Sequence, residues 1–294
     1  MKNNKALGQH WLKNRAILDQ IAELSAHPGT QICIEIGPGL GTLTSSLFKH
    51  FNQVIAIEFD QNLATNLPKS FPGKHLTVIN KDILSIQHIH TLLSPGSSRP
   101  SSRDSNPNSR QQAPKRARRD EYVVSGNIPY YITSPIIKKL LTDPVPPQKI
   151  VLLIQKEVAG RIADFEKSSL LSLFVQNRAD VKLGPIVPKA EFTPPPQVDS
   201  QVLILTPHSP IIPEAVFSLI KLGFHSPRKK LITNLTHLRE KAEIRQILLS
   251  LQLSPDARPS DLRLQDWQAL YQALTPSIDR KSTRLNSSHA RLSR

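Results

Sequence analysis

One cysteine in 294 residues leaves no room for a disulfide framework. That residue, Cys33, lies inside the apolar run Ile32-Cys33-Ile34, the setting of a small core side chain rather than a nucleophile. No stretch approaches the roughly 20 consecutive apolar residues of a membrane span. The basic, polar start Met1–Gln9 leads into no apolar signal core. A reducing, cytoplasmic location without a membrane partner is therefore the expectation. The ten histidines are scattered without ligand spacing, so no metal site is expected. Aromatic residues make up only 5% of the chain, which makes a local concentration of them informative.

Positive charge, by contrast, is plentiful. The formal net charge is +15, which suggests a polyanionic partner. Residues 95–121 hold seven basic against three acidic residues and residues 279–294 hold five against one, so each segment carries +4 and +7 remains elsewhere. Residues 95–119 are rich in Ser, Pro, Arg and Asn and nearly free of apolar groups. They cannot bury enough surface to offset ordering entropy and read as a disordered insertion. Within it, Lys115-Arg116-Ala117-Arg118-Arg119 reads as a solvated charge run, with a localisation or RNA-contact patch as the alternative. Asp279 to His289 resembles the translation of a sequencing-library adapter. Residues 279–294 are accordingly set aside as a non-native tail.

From Gln31 the pattern is that of an α/β unit. Gln31–Ile36 reads as a buried strand, Gly37-Pro38-Gly39-Leu40-Gly41 as a tight turn, Thr42–His50 as a helix and Val54–Glu58 as the next strand. Glycines at a strand-to-helix turn let the backbone approach a ligand closely, and an acid about 20 residues on can accept from ribose hydroxyls. Glu58 stands there. A dinucleotide fingerprint wants its third glycine one residue later, where Thr42 stands. The loop looks more like that of class I S-adenosylmethionine-dependent methyltransferases. A third strand, Leu76–Asn80, runs into Asp82, which suits either an adenine amino group or a turn cap. The fourth leads into Gly126-Asn127-Ile128-Pro129-Tyr130-Tyr131. This hexapeptide suits either a strand-to-turn connection or a pocket that holds an exocyclic amine with the Asn carboxamide and stacks a flat base on Tyr. All these candidates follow strand C-termini, where open α/β sheets bind ligands. Beyond Ile212, the stretches Pro213–Gly223, Arg228–Leu238, Ile244–Leu251 and Leu262–Leu274 read as short amphipathic helices, with Ser260-Asp261-Leu262 as an N-cap.

With these residues in view, the chain resembles the small-subunit ribosomal RNA adenine N6,N6-dimethyltransferase family over nearly all of residues 5–240. The carriers are Leu7-Gly8-Gln9-His10-Trp11-Leu12, Glu35–Gly41, Glu58, Asp82, Asn127–Tyr131 with Ser134-Pro135, Gln155–Ala159, Phe192–Ser200 and Arg228-Lys229-Lys230. One departure is His10-Trp11, where the family commonly has Asn-Phe. Another is Phe165–Leu170, which lacks the glycine common in that region.

The resemblance implies a Rossmann-like α/β methyltransferase domain over 1–206, interrupted by the insertion. A smaller all-helical, RNA-docking domain would span 207–278. It implies S-adenosylmethionine as cofactor, lined by His10, Leu12, Gly37, Glu58, Asp82 and Asn127. It places Asn127, Pro129 and Tyr130 around a target adenine, with Phe192 packed near the flipped base. The implied partners are small-subunit rRNA and the immature small ribosomal subunit, met by a monomer. The rivals are an erythromycin-resistance-type methyltransferase acting on large-subunit RNA, and a non-catalytic nucleic-acid-binding relative serving as an assembly or transcription factor.

Overall fold

The computed structural model describes residues 10–93 and 121–275. Leu7–Gln9, the 95–119 insertion and the 279–294 tail lie outside them. The described residues form two compact units. One runs through Ala159 and resumes over Ala179–His208; the other takes Gly160–Arg178 and the residues from Ser209 onward.

The first unit is built on consecutive apolar, β-branched runs. In chain order its elements are β1 (Trp11–Leu12), α1 (Arg15–Ser25), β2 (Ile32–Ile36), α2 (Thr42–Leu47), β3 (Gln53–Glu58), α3 (Gln61–Asn66), β4 (His75–Asn80), β5 (Tyr122–Asn127), α4 (Thr133–Leu141) and β6 (Lys149–Gln155). The division between the units falls within α5 (Lys156–Ala163), and α6 (Leu170–Gln176) belongs to the second. β7 (Ala179–Val187), β8 (Phe192–Thr193) and β9 (Ser200–Pro207) complete the first.

Seven strands make one sheet in the order β4-β3-β2-β5-β6-β9-β7. β2 through β6 run parallel, and β9 is antiparallel to both β6 and β7. Cys33–Ile36, Tyr122–Gly126 and Ile150–Ile154 are buried without interruption, as central parallel strands covered on both faces must be. β4, at the edge, has no fully buried residue. Cys33 is part of this core, and burial pushes its thiol well above the ordinary value. Asn14 and Asp60 cap α1 and α3 by accepting from the first free backbone N–H groups. Lys149 Nζ donates to the carbonyls of Leu24 and Ala26 at 3.1 and 2.6 Å, which satisfies the C-terminal end of α1. A two-stranded ladder pairs β1 antiparallel with β8, Trp11 opposite Thr193 and Leu12 opposite Phe192.

The second unit contains α6, α7 (Glu214–Gly223), α8 (Leu231–Asn234), α9 (Lys241–Ser250) and α10 (Leu264–Leu274). They surround a core that includes Leu173, Phe217, Ile220, Leu231, Ile244, Leu248 and Trp267. A boundary drawn along the chain at 206/207 leaves 160–178 with the sheet, whereas that stretch packs with the helices. Two further details differ from the sequence pattern. The helix expected over Arg228–Leu238 shrinks to four residues, because Asn234 turns its amide back to the carbonyls of Gly223 and Ser226 at 2.6 and 3.1 Å. The N-cap of α10 is Arg263, not Ser260 or Asp261, because the Asp266 carboxylate reaches back to the Arg263 N–H at 2.8 Å. Asp261 instead takes the Arg258 N–H and closes its own short turn.

Candidate active site

Parallel β4, β3, β2 and β5 are neighbours in that order and end at one edge of the sheet. There they deliver Asp82 just past β4, Glu58 closing β3, Glu35 and Gly37 at the end of β2, and Asn127 closing β5. Two backbone features make this convergence feasible. Gly37, Gly39 and Gly41 have φ of 67°, 56° and 80°, a left-handed path that L side chains rarely take. A Cβ on Gly126 would lie 2.6 Å from the Ile36 carbonyl oxygen, so only glycine lets β5 end that close to β2.

The result is a cavity with about 1260 Å³ of empty space, part of it open to solvent. It is lined by His10, Leu12, Gly37, Glu58, Asp82, Asn127, Pro129 and Tyr130 among others. Every sequence-predicted site residue except Phe192 is therefore gathered here. Phe192 is 2% exposed and packed in the core, where its strand partner is the lining residue Leu12; it is not itself among the residues that line the cavity.

Asn127 is oriented by a partner 117 positions away. Its Nδ2 donates to the His10 backbone carbonyl at 2.9 Å. A carbonyl oxygen can only accept, so the amide nitrogen must take that side, and Oδ1 is left as an acceptor with no donor among the described residues. His10 is pinned in turn: its Nδ1 lies 2.8 Å from the Pro194 carbonyl, so the proton sits on Nδ1. Its ring stacks on Tyr130 at 6.1 Å between centroids. The Tyr130 hydroxyl bonds to Ser200 Oγ at 2.8 Å, and burial raises its pKa above the ordinary phenol value. The Pro129 carbonyl accepts from Ile132 N–H at 3.3 Å, whereas the Ile128 carbonyl has no donor among the described residues.

Glu58 is buried, and burial lifts its carboxyl above the ordinary value. The backbone N–H groups of Asp60 and Gly39, 2.9 and 3.0 Å from its two oxygens, work against that rise. A carboxylate offers about four lone-pair sites, so acceptor capacity remains. Asp82 serves as a turn cap, with Oδ1 accepting from Leu84 N–H at 2.9 Å; Oδ2 has no partner among the described residues.

Glu35, the first residue of the Glu35–Gly41 motif but without a role implied by the resemblance, also lines the cavity. Thr44 Oγ1 donates to its Oε2 at 2.6 Å, while Oε1 is buried without a partner among the described residues. Burial, with Glu58 nearby, pushes its carboxyl up to about 8. The available signal was an acid inside an otherwise apolar buried strand, since charged residues are almost never fully buried without a reason. Among the described residues no group of three or more His, Cys, Asp or Glu is gathered as a metal would require, and no helix is long and apolar enough to cross a membrane.

Residues 1–275 match the family model described as ribosomal RNA adenine dimethylase. The chain is 37% identical over 276 residues to the ribosomal RNA small subunit methyltransferase A of Rippkaea orientalis, covering 90% of this chain and 94% of that one. It is 35% identical over 286 residues to the protein of the same name in Acaryochloris marina, covering 93% and 97%. Among solved structures, it resembles the 23S rRNA methyltransferase ErmE with a TM-score of 0.67 at 23% identity, over 90% of this chain and 99% of that one. It also resembles a dimethyladenosine transferase from Plasmodium falciparum, with a TM-score of 0.66 at 24% identity over 89% and 96%. At these identities the two structures speak for the fold.

Proposed function

This chain belongs to the ribosomal RNA adenine dimethylase family, and from that premise we propose that it dimethylates N6 of two adjacent adenosines in the 3′-terminal hairpin of small-subunit rRNA. The methyl donor in this reading is S-adenosylmethionine. When bound, it supplies a methyl carbon on a sulfonium, which is an excellent leaving group.

The residues at the sheet edge suit that donor by their chemistry. Glu58 retains lone pairs for a ribose diol, Asp82 has a free carboxylate oxygen for an adenine amino group, and the orphaned Oε1 of Glu35 is a buried acceptor suited to a cationic ammonium. These acids occur along the edge in the strand order β4, β3, β2, with Asn127 next on β5. Neighbouring strands lie about 4.8 Å apart, so the series spans roughly 14 Å, enough for an extended nucleoside–amino acid with the acceptor base at its end.

Adenine N6 is a weak nucleophile because its lone pair is delocalised into the ring. Two acceptors on its two hydrogens favour the pyramidal nitrogen that attack requires. Asn127 Oδ1 and the Ile128 carbonyl are adjacent acceptors of the hexapeptide with no donor among the described residues. Placement and electrostatics then replace a strong general base. The observation that carries this reading is the Asn127–His10 hydrogen bond, which dictates which amide atom remains for the base. In the helical unit, Lys230 is ion-paired with Asp256 at 2.7 Å, which leaves Arg228 and Lys229 as the cations of that trio suited to RNA phosphate.

Tritiated methyl transfer to small and large ribosomal subunits purified from cells lacking this methylation tests the proposal. Label in the small subunit alone is expected. Label in the large subunit alone would move the assignment to the resistance-type enzyme, and label in neither would sink the enzyme reading.

A further inference from the structure

The two consecutive tyrosines of the hexapeptide meet opposite fates. Tyr130 is tied down by Ser200 and stacked against His10. Tyr131 is 66% exposed, the largest value for a large hydrophobic side chain among the described residues. Its hydroxyl and its ring have no partner among the described residues, yet it stands on the lining of the same cavity. Single exposed apolar groups on a surface need no explanation; an exposed, unpartnered ring on the lining of this cavity does.

Its position along the edge says which ligand it serves. The other exposed aromatic of the lining, Phe59 at 62%, directly follows Glu58 on β3, at the end where the acids suit a nucleoside donor. Tyr131 follows β5, two strands away and next to the residues that suit the acceptor base. A base drawn into the cavity breaks its stack with its neighbour, and that neighbour is left with an uncovered face. Aromatic side chains cover such faces in single-stranded nucleic acid.

We infer that Tyr131 is the stacking platform for the nucleobase adjacent to the target, which in a substrate with two adjacent adenosines is the other adenosine. This rests on the function proposed above. The ring holds one adenosine while its neighbour occupies the cavity, and so makes the enzyme sensitive to what lies beside its target.

The test measures KM and kcat for methyl transfer to small subunits reconstituted with either the natural adenosine pair or one adenosine replaced by uridine, which stacks less well. Removing the ring in Tyr131→Ala should raise KM for the natural pair by about five- to 150-fold, the range of base–aromatic stacking. kcat and S-adenosylhomocysteine affinity should remain near wild type. Tyr131→Phe and Tyr131→Trp should keep a low KM, because the ring and not the hydroxyl is used. Wild type should lose several-fold in KM on the uridine substrate, and Tyr131→Ala should not distinguish the two substrates. A wild-type KM in Tyr131→Ala, or retained sensitivity to uridine, would overturn the inference while leaving the proposed function intact. A parallel loss of S-adenosylhomocysteine affinity would overturn it by moving Tyr131 to the donor site. Failure of the wild-type protein to label small subunits at all would remove the proposed function, and this inference with it.

Discussion

The two units differ in the kind of buried polar atom they leave without a partner among the described residues. The sheet unit keeps Glu35 and Glu58 buried at a cavity and leaves one oxygen of Glu35 without a partner. The helical unit fills its interior with apolar side chains around Trp267 and turns its buried Asn234 and Asn177 inward to backbone carbonyls; its unmet atoms are nitrogen donors, Trp267 Nε1 and Arg178 Nη1. Uncompensated polarity costs free energy, roughly 1–3 kcal/mol per buried unmade hydrogen bond. In the sheet unit the unmet atom is a carboxylate oxygen on the lining of a cavity, where a ligand can meet it; in the helical unit Trp267 Nε1 lies within a packed apolar core that serves stability.

Substitutions should therefore separate along this line. The largest stability loss is expected for Trp267→Ala, since Trp267 is fully buried and packs so closely that a Cβ on Gly223 would meet its ring at 2.2 Å. Urea denaturation should register about 3–5 kcal/mol. S-adenosylhomocysteine affinity, measured by calorimetry well below the midpoint, should stay near wild type. A large fall in that affinity would break the comparison.

Gly126→Ala is the intermediate case, because it touches the sheet core and the site together. The added methyl must move the Ile36 carbonyl or β5 itself. Stability should fall by about 1–3 kcal/mol. Methyl transfer should fall further than stability alone explains, because Asn127 is the next residue. Equal losses in folding and function would make Gly126 a packing residue only.

The third effect is a change in pH dependence at Glu35. Its carboxyl sits at about 8 in the folded protein, above the ordinary value near 4.5. Below the ordinary value both states are protonated and nothing is lost. As pH rises from there toward about 8, the unfolded chain ionises and the folded one does not, so stability declines across that window. Glu35→Gln should flatten this decline in melting curves, since the Thr44 hydroxyl can donate to the amide oxygen instead. In the wild-type protein, binding of the ammonium-bearing S-adenosylhomocysteine should favour the ionised form and release protons. Calorimetry in buffers of differing ionisation enthalpy checks this; the absence of proton release would detach Glu35 from the ligand.

Much of the sheet unit is legible in the sequence because its strands are uninterrupted apolar runs and its ligand-facing residues follow them directly. Glu58, Asp82 and Asn127 are visible in this way. What is not legible depends on partners far along the chain. The amide orientation of Asn127 needs His10, and His10 is held by Pro194, 184 positions away. Phe192 belongs to a local motif whose resemblance implies a place near the flipped base, yet only its pairing with Leu12, 180 positions away, shows that it is packed beside a lining residue rather than on the lining. Residues 160–178 join the helical unit although both flanking segments of chain belong to the sheet unit, which no local pattern records. Tyr130 and Tyr131 look equivalent in sequence, and only Ser200 and His10 distinguish them.

The central claim is that Asn127 Oδ1, set free by the bond from Nδ2 to His10, orients the target amine. Tritiated methyl transfer to small subunits by Asn127→Ala, with a melting curve on the same sample, tests it most directly. The account predicts a loss of about 100-fold or more in kcat with the melting temperature nearly unchanged; near-wild-type turnover by the folded variant would contradict it.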